Sequence, residues 1–118
     1  MLKFGTHCQL INSTVKYYEN NPRSTDGKKC KYFTSENTKC AIGRLIEDNE
    51  LCKLLDSRKD SGIKYIFNIL PKELQEYGQE FLMELQQFHD CNGYWFEGKL
   101  TYNGESRYIE LRKKYLYC

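Results

Sequence analysis

The stretch PKELQEYGQEFLMELQQFHD, residues 71 to 90, carries the clearest structural signal in the chain. Its apolar residues recur every three or four positions, the spacing that places side chains on one face of an α-helix. This apolar stripe consists of Leu74, Tyr77, Phe81, Leu85 and Phe88. Pro71 suits the first turn of a helix, whereas Gly78 disfavours a helix interior. We therefore predict a long amphipathic helix over residues 71–90, with a kink or break at Gly78.

A first helix is predicted upstream, over residues 9–20. Its apolar face consists of Leu10, Ile11, Val15 and Tyr18. Pro22 ends it, because proline disfavours the α region for the residue before it. Residues 30–34 are rich in β-formers and are predicted to form a short strand.

The sequence predicts the secondary structure between this strand and the long helix less definitely. Asn37 or Thr38 is suited to cap a helix over residues 39–47, and residues 50–55 form another apolar turn. Residues 63–70 are dense in β-branched and aromatic side chains. A buried strand and a short helix both remain open for them.

Downstream, Asn92-Gly93 is expected to end the long helix in the left-handed conformation that glycine favours. The aromatic run Tyr94-Trp95-Phe96 follows, and Thr101 is placed to cap a last helix. We predict one domain over residues 1–118, of helix-rich α+β class. It has about four to five helices with a short β-hairpin or small sheet.

Charge argues against nucleic acid as the partner. The formal net charge is +2 and the isoelectric point is about 8.2. Nucleic-acid-binding domains usually show a basic stripe and a higher isoelectric point. The glycines are isolated and form no phosphate-cradling loop, so no cofactor is expected.

The hydropathy pattern indicates the cellular compartment in which the protein is expected. We find no apolar core typical of a signal peptide and no apolar run of the length of a membrane span. A cytoplasmic protein without membrane contact is therefore expected. Cysteine thiols stay reduced in that compartment, so we expect the six cysteines to form no disulfide framework.

Cys40 is the residue on which an enzymatic interpretation depends. In the first turn of a helix its thiolate would be stabilised by the peptide dipoles. His89 is a candidate base, with Asp90 assisting it. Adjacent residues on a helix point about 100° apart, however, which hinders that assistance. Buried cysteine usually behaves as a small hydrophobe, so we favour a structural role for Cys40 over catalysis.

A zinc site is a further alternative. Cys30, Cys40, His89 and Cys91 have the side-chain types that tetrahedral zinc prefers. The two-residue spacing of His89 and Cys91 would bring them together only at a frayed helix end. We therefore predict no metal.

A site for a small anion is the binding alternative. Arg23, Lys39, Arg44 and Tyr32 are candidates to line it, because the guanidinium fork suits phosphate and carboxylate groups. Core packing is the favoured role of Trp95 and its aromatic neighbours, and a stacking platform for a nucleotide-like ligand is the alternative.

Several short motifs occur in an order that resembles a known group of proteins. They are Asn21-Pro22-Arg23-Ser24, Cys30-x-Tyr32, Cys40-Ala41-Ile42-Gly43-Arg44-Leu45-Ile46, Leu70-Pro71-x-x-Leu74, Phe81-Leu82-x-x-Leu85-Gln86-x-x-His89-Asp90, Trp95 and Leu100-Thr101-x-x-Gly104. The group consists of small uncharacterised proteins of phages, prophages and other mobile elements, and the resemblance covers residues 10–116.

The resemblance implies a viral or mobile-element accessory protein acting in the host cytoplasm. Such a protein is expected to be a non-enzymatic binder that blocks a host protein or sequesters a small anionic, nucleotide-like host signal, as in counter-defence. The first alternative is a cysteine-dependent hydrolase or transferase using Cys40 and His89. A regulatory nucleic-acid-binding module is the second.

Overall fold

A computed structural model describes residues 2–21, 25–26, 29–30, 40–57 and 62–115 of the chain, with the backbone alone for 25–26 and 29–30. The predicted strand beyond Cys30, the predicted caps Asn37 and Thr38, and the candidate site residues Arg23, Tyr32 and Lys39 lie outside the described residues.

The described part is a helix-rich α+β fold. Its α-helices are α1 (His7–Asn20), α2 (Asn49–Ser57), α3 (Ile63–Ile66), α4 (Lys72–Gln75), α5 (Gln79–Asp90) and α6 (Tyr102–Lys114). The 3₁₀ turns are Gly43–Leu45, Phe67–Ile69 and Asn92–Tyr94. The strands are β1 (Thr25–Asp26), β2 (Lys29–Cys30), β3 (Trp95–Phe96) and β4 (Lys99–Leu100).

Helix α1 confirms the predicted first helix. Thr6 caps it, since its hydroxyl accepts a hydrogen bond from the Gln9 amide at 3.1 Å. The Gln9 side chain in turn accepts from the Thr6 amide at 2.8 Å, which completes a capping box. The helix ends at Asn20, two residues before Pro22, as predicted.

The predicted break in the long helical segment is confirmed at Gly78. Gly78 lies between α4 and α5 and has a φ of +90°. Residues with a side chain rarely adopt this backbone conformation. The predicted left-handed ending at Asn92-Gly93 is wrong. Cys91 leaves the helix in an extended conformation, and a 3₁₀ turn follows in which the Tyr94 amide donates to the Cys91 carbonyl at 3.1 Å.

Residues 63–70, which the sequence left open, are helical. Ile63, Ile66 and Leu70 are buried while Tyr65 and Ile69 are exposed. The buried positions are three and four residues apart, so one side of α3 and of the following 3₁₀ turn faces the core.

The helix predicted over residues 39–47 is wrong within the described part. Residues 40–46 form a turn and the 3₁₀ turn Gly43–Leu45 instead. All of these residues except Arg44 are buried, so the segment passes through the core. A surface helix would instead expose one of its faces to water.

The described part of the chain contains two short β-hairpins, whereas the sequence predicted one. In the first, β1 pairs with β2 in register Thr25↔Cys30. In the second, β3 pairs with β4 in register Trp95↔Leu100. Its turn is Glu97-Gly98, with φ values of 49° and 78°, both in the left-handed region.

Three contacts close the structure around its core. The Trp95 indole donates to the Phe88 carbonyl at 2.9 Å. The Tyr108 hydroxyl on α6 donates to Asn12 Oδ1 on α1 at 2.6 Å, so the first and last helices pack together. The Tyr77 hydroxyl accepts from the Phe4 amide at 2.9 Å, which holds the segment before α1.

The predicted cap of α6 is confirmed, because the Thr101 hydroxyl accepts from the Gly104 amide at 3.1 Å.

Candidate functional site

Cys40 is fully buried and acts as a structural cap. Its Sγ accepts a hydrogen bond from the Gly43 amide at 3.3 Å, and its carbonyl accepts from the Arg44 amide at 3.0 Å. Burial raises the pKa of the Cys40 thiol strongly, and the nearby amides of Gly43 and Ile42 lower it only in part. The thiol is therefore neutral, whereas activation for catalysis requires a lowered pKa.

The structure places Asp90 close to Cys40, and His89 beside Asp90. His89 Nδ1 lies 2.8 Å from Asp90 Oδ1, and Gln86 Nε2 donates to the same oxygen at 2.9 Å. Asp90 is the last residue of α5, so its side chain bends back toward the neighbouring His89 despite the helical offset. The negative charge of Asp90 and a hydrogen bond from Gln86 both act on the Cys40 thiol.

Tyr18 completes this group, which we call the buried polar cluster: Tyr18, Cys40, Gln86, His89 and Asp90. The Tyr18 ring lies 4.9 Å from the His89 ring, centroid to centroid. Burial raises the pKa of Tyr18, and the nearby Cys40 raises it further. Among these side chains Asp90 reaches solvent, with 38% of its side chain exposed against 0% for His89.

This arrangement does not favour nucleophilic catalysis by Cys40. Its thiol has no exposed surface, so a substrate carbonyl cannot reach it. A hydrogen-bonded polar network inside an apolar core instead restricts the core to few packing arrangements. The cluster therefore orders the 40–46 segment against α1 and α5.

The candidate zinc ligands do not come together in the described part of the chain. No three His, Cys, Asp or Glu side chains among these residues are placed to hold a metal ion. Cys91 is a half-buried thiol and Cys40 serves as the cap. The Cys30 side chain lies outside the described residues.

Cys8 corrects the expectation that every cysteine is reduced. It is fully buried in α1 and disulfide-bonded. Among the described cysteines, Cys40 and Cys91 carry free thiols.

Arg44 lies between α1 and solvent. Its Nη2 donates to the hydroxyls of Thr14 at 2.7 Å and Ser13 at 3.1 Å. The guanidinium also lies over the Tyr17 ring, 5.2 Å from its centroid. Partial burial lowers the pKa of Arg44. We call Arg44, Ser13, Thr14 and Tyr17 the Arg44 site.

Of the other candidates for the anion site, Trp95 lies within the described residues. Trp95 is 6% exposed and packs between Phe88 and Tyr18, so it is a core residue, as favoured from the sequence, and not a stacking platform. Sequence reasoning missed Ser13, Thr14 and Tyr17. They lie about 30 positions from Arg44, and no local pattern in the sequence connects them with it.

No helix in the described ranges is long and apolar enough to cross a membrane. No family model, no curated protein and no solved structure matches this chain.

Proposed function

We propose that this protein is a small accessory protein of a virus or mobile element that binds a host molecule without catalysis. Its ligand is a small anionic, nucleotide-like molecule, and Arg44 is the main contact. The observation that carries the proposal is the half-buried guanidinium of Arg44, which has no carboxylate partner among the described residues.

The charge of Arg44 is poorly compensated in comparison with other cations. Arg107 lies 3.6 Å from Glu84, and Lys114 lies 2.9 Å from the same carboxylate. Arg44 has hydroxyl partners instead, although burial has removed part of its hydration. A guanidinium keeps its proton under these conditions, so a bound anion would offset the lost hydration.

The hydrogen bonds of Arg44 leave one side of its guanidinium available. The hydroxyls of Ser13 and Thr14 both donate to the Leu10 carbonyl, so they accept from Nη2. Two acceptors use both hydrogens of Nη2. Nη1 makes no hydrogen bond within the described part, and it is the group that would donate to a phosphate or carboxylate oxygen.

Tyr17 and the hydroxyls hold this guanidinium in place before a ligand arrives. The ring fixes the plane of the group, and the two bonds to α1 fix its rotation. A preorganised side chain loses little conformational entropy on binding, which favours affinity. Binding is also consistent with the closed environment of Cys40, where no reaction with a substrate can begin.

The experiment measures binding of named anions to Arg44→Met and to a matched control. The probes are ATP, cyclic di-AMP and inorganic phosphate, in thermal-shift and calorimetric titrations. The control is Arg112→Met, because Arg112 also lies over a tyrosine ring, 5.4 Å from the centroid of Tyr108, but is exposed. A charge-assisted hydrogen bond contributes about 1.5–3 kcal/mol, so Arg44→Met should weaken binding roughly 10- to 100-fold.

The control variant should bind as the unmodified protein does. Circular dichroism establishes that both variants remain folded. Absence of binding by all three probes, or equal losses in the two variants, would contradict the proposal.

A further inference from the structure

An open groove of about 770 Å³ lies between α1, the β3–β4 hairpin and α6. Val15, Leu100 and Tyr108 contribute its apolar surface. The hairpin is fixed beside α1, because a Cβ on Gly98 would lie 3.2 Å from the Glu19 carbonyl oxygen. The groove is thus built on rigid elements, and we call it the hairpin groove.

The hairpin groove carries charges of both signs that have no ion-pair partner among the described residues. Its lining includes the cations Lys16 and Lys99 and the anions Glu19, Glu97 and Glu105. None of the five takes part in an ion pair within the described ranges, whereas Lys3 and Lys114 each contact two carboxylates. All five are exposed.

Two large aromatic side chains lie beside these charges. Phe96 is 69% exposed and pairs across the hairpin with Lys99. Tyr102 is 85% exposed and precedes Glu105 by one turn on the same side of α6. Aromatic side chains dominate the binding energy of many protein interfaces, and exposed ones next to a groove mark such a surface.

We propose that this face pairs two copies of the chain around a two-fold axis. A wholly basic partner would meet the lysines of the hairpin groove, and a wholly acidic one would meet its glutamates. A second copy presents both signs, and a two-fold axis allows each lysine to approach a glutamate of the other chain. The formal net charge of +2 is small, so long-range repulsion between copies is weak.

The test is complementary charge reversal, followed by sedimentation velocity over a wide range of concentrations. The unmodified chain should form a dimer. Lys99→Glu and Glu105→Lys should each weaken it at least tenfold, because each reversal places like charges together twice across the axis. An equimolar mixture of the two variants should restore a dimer containing one copy of each.

The control is Lys64→Glu, which makes the same charge change on α3, away from the hairpin groove, and should leave the dimer unchanged. Phe96→Ser should weaken the dimer without rescue by either charge variant. A chain that is monomeric at every concentration, reversals without effect, or a mixture that stays monomeric would each overturn the proposal.

Discussion

Gly104→Ala should destabilise the protein, although the same change stabilises most helices. Gly104 lies in α6 against the backbone of the preceding 3₁₀ turn. A Cβ there would overlap the Tyr94 carbonyl oxygen and lie 2.9 Å from its carbon. That oxygen is held by a hydrogen bond from the Thr101 amide at 2.9 Å, so it cannot move without breaking the start of α6.

The expected change in the free energy of unfolding of Gly104→Ala is the sum of three contributions. Replacing glycine by alanine inside a helix gains about 1 kcal/mol. Overpacking costs about 1–3 kcal/mol, and losing the hydrogen bond between Thr101 and Tyr94 costs about 1 kcal/mol more. The net loss in the free energy of unfolding is about 1–3 kcal/mol, which lowers Tm by roughly 4 °C per kcal/mol for a domain of this size.

Urea denaturation followed by tryptophan fluorescence measures this loss, because Trp95 lies next to the affected turn. Gly93→Ala is the matched control, since the nearest atom to its Cβ would be Cys91 Sγ at 3.8 Å. It should change the free energy of unfolding by less than about 0.5 kcal/mol. A Gly104→Ala variant as stable as the unmodified protein would refute the packing argument.

Three further outcomes are expected. Alkylation of the native protein, followed by peptide mass spectrometry, should label the half-buried Cys91 well before the fully buried Cys40. Fast labelling of Cys40 would contradict its burial. Burial alone would raise the pKa of Glu84, but hydrogen bonds from Tyr115 and Lys114 outweigh it and lower that pKa. The ionised Glu84 side chain therefore stabilises the folded state. This stabilisation is complete at pH values above about 4.3, the pKa of glutamate in the unfolded chain, and is lost as the pH falls through the lower pKa of Glu84 in the folded protein. Glu84→Gln should therefore flatten the acid side of a stability–pH curve, and an unchanged curve would contradict this. Reducing the Cys8 disulfide should cost about 2–4 kcal/mol, which a thermal melt with and without reductant measures, and equal melting temperatures would count against it.

The helical part of the fold was predictable because its signal is local. The stripe from Leu74 to Phe88 and the break at Gly78 lie within one stretch of sequence, and the end of α1 lies next to Pro22. The Thr6 cap of α1 was missed, and the helix begins at His7 rather than at residue 9. The hairpin at Trp95–Leu100 was missed, since two-residue strands are too short for an alternating pattern. The Glu97-Gly98 turn was its one local sign.

The candidate sites at Cys40 and Arg44 were less predictable, because tertiary structure brings their residues together from distant parts of the sequence. A group of Cys40, His89 and Asp90 was anticipated from residue types, but the direction of the pKa shift of Cys40 depends on burial that no local pattern reveals. A helix-start motif left an activated thiol as the alternative to a structural role for Cys40, and the buried position of Cys40 supports the structural role. Arg44 was selected for its charge, whereas its partners Ser13 and Thr14 come from a helix thirty residues away.

The contact between α1 and α6 also determines when the domain can be completed during synthesis. Asn12 and Tyr108 are 96 positions apart, so α1 leaves the ribosome long before its partner helix exists. Until then its apolar face, which includes Leu10 and Ile11, has no final place to pack. Contacts this distant in sequence slow folding, because the intervening chain must be ordered first. A chaperone that covers α1 is therefore expected to improve the yield of folded protein in a translation extract.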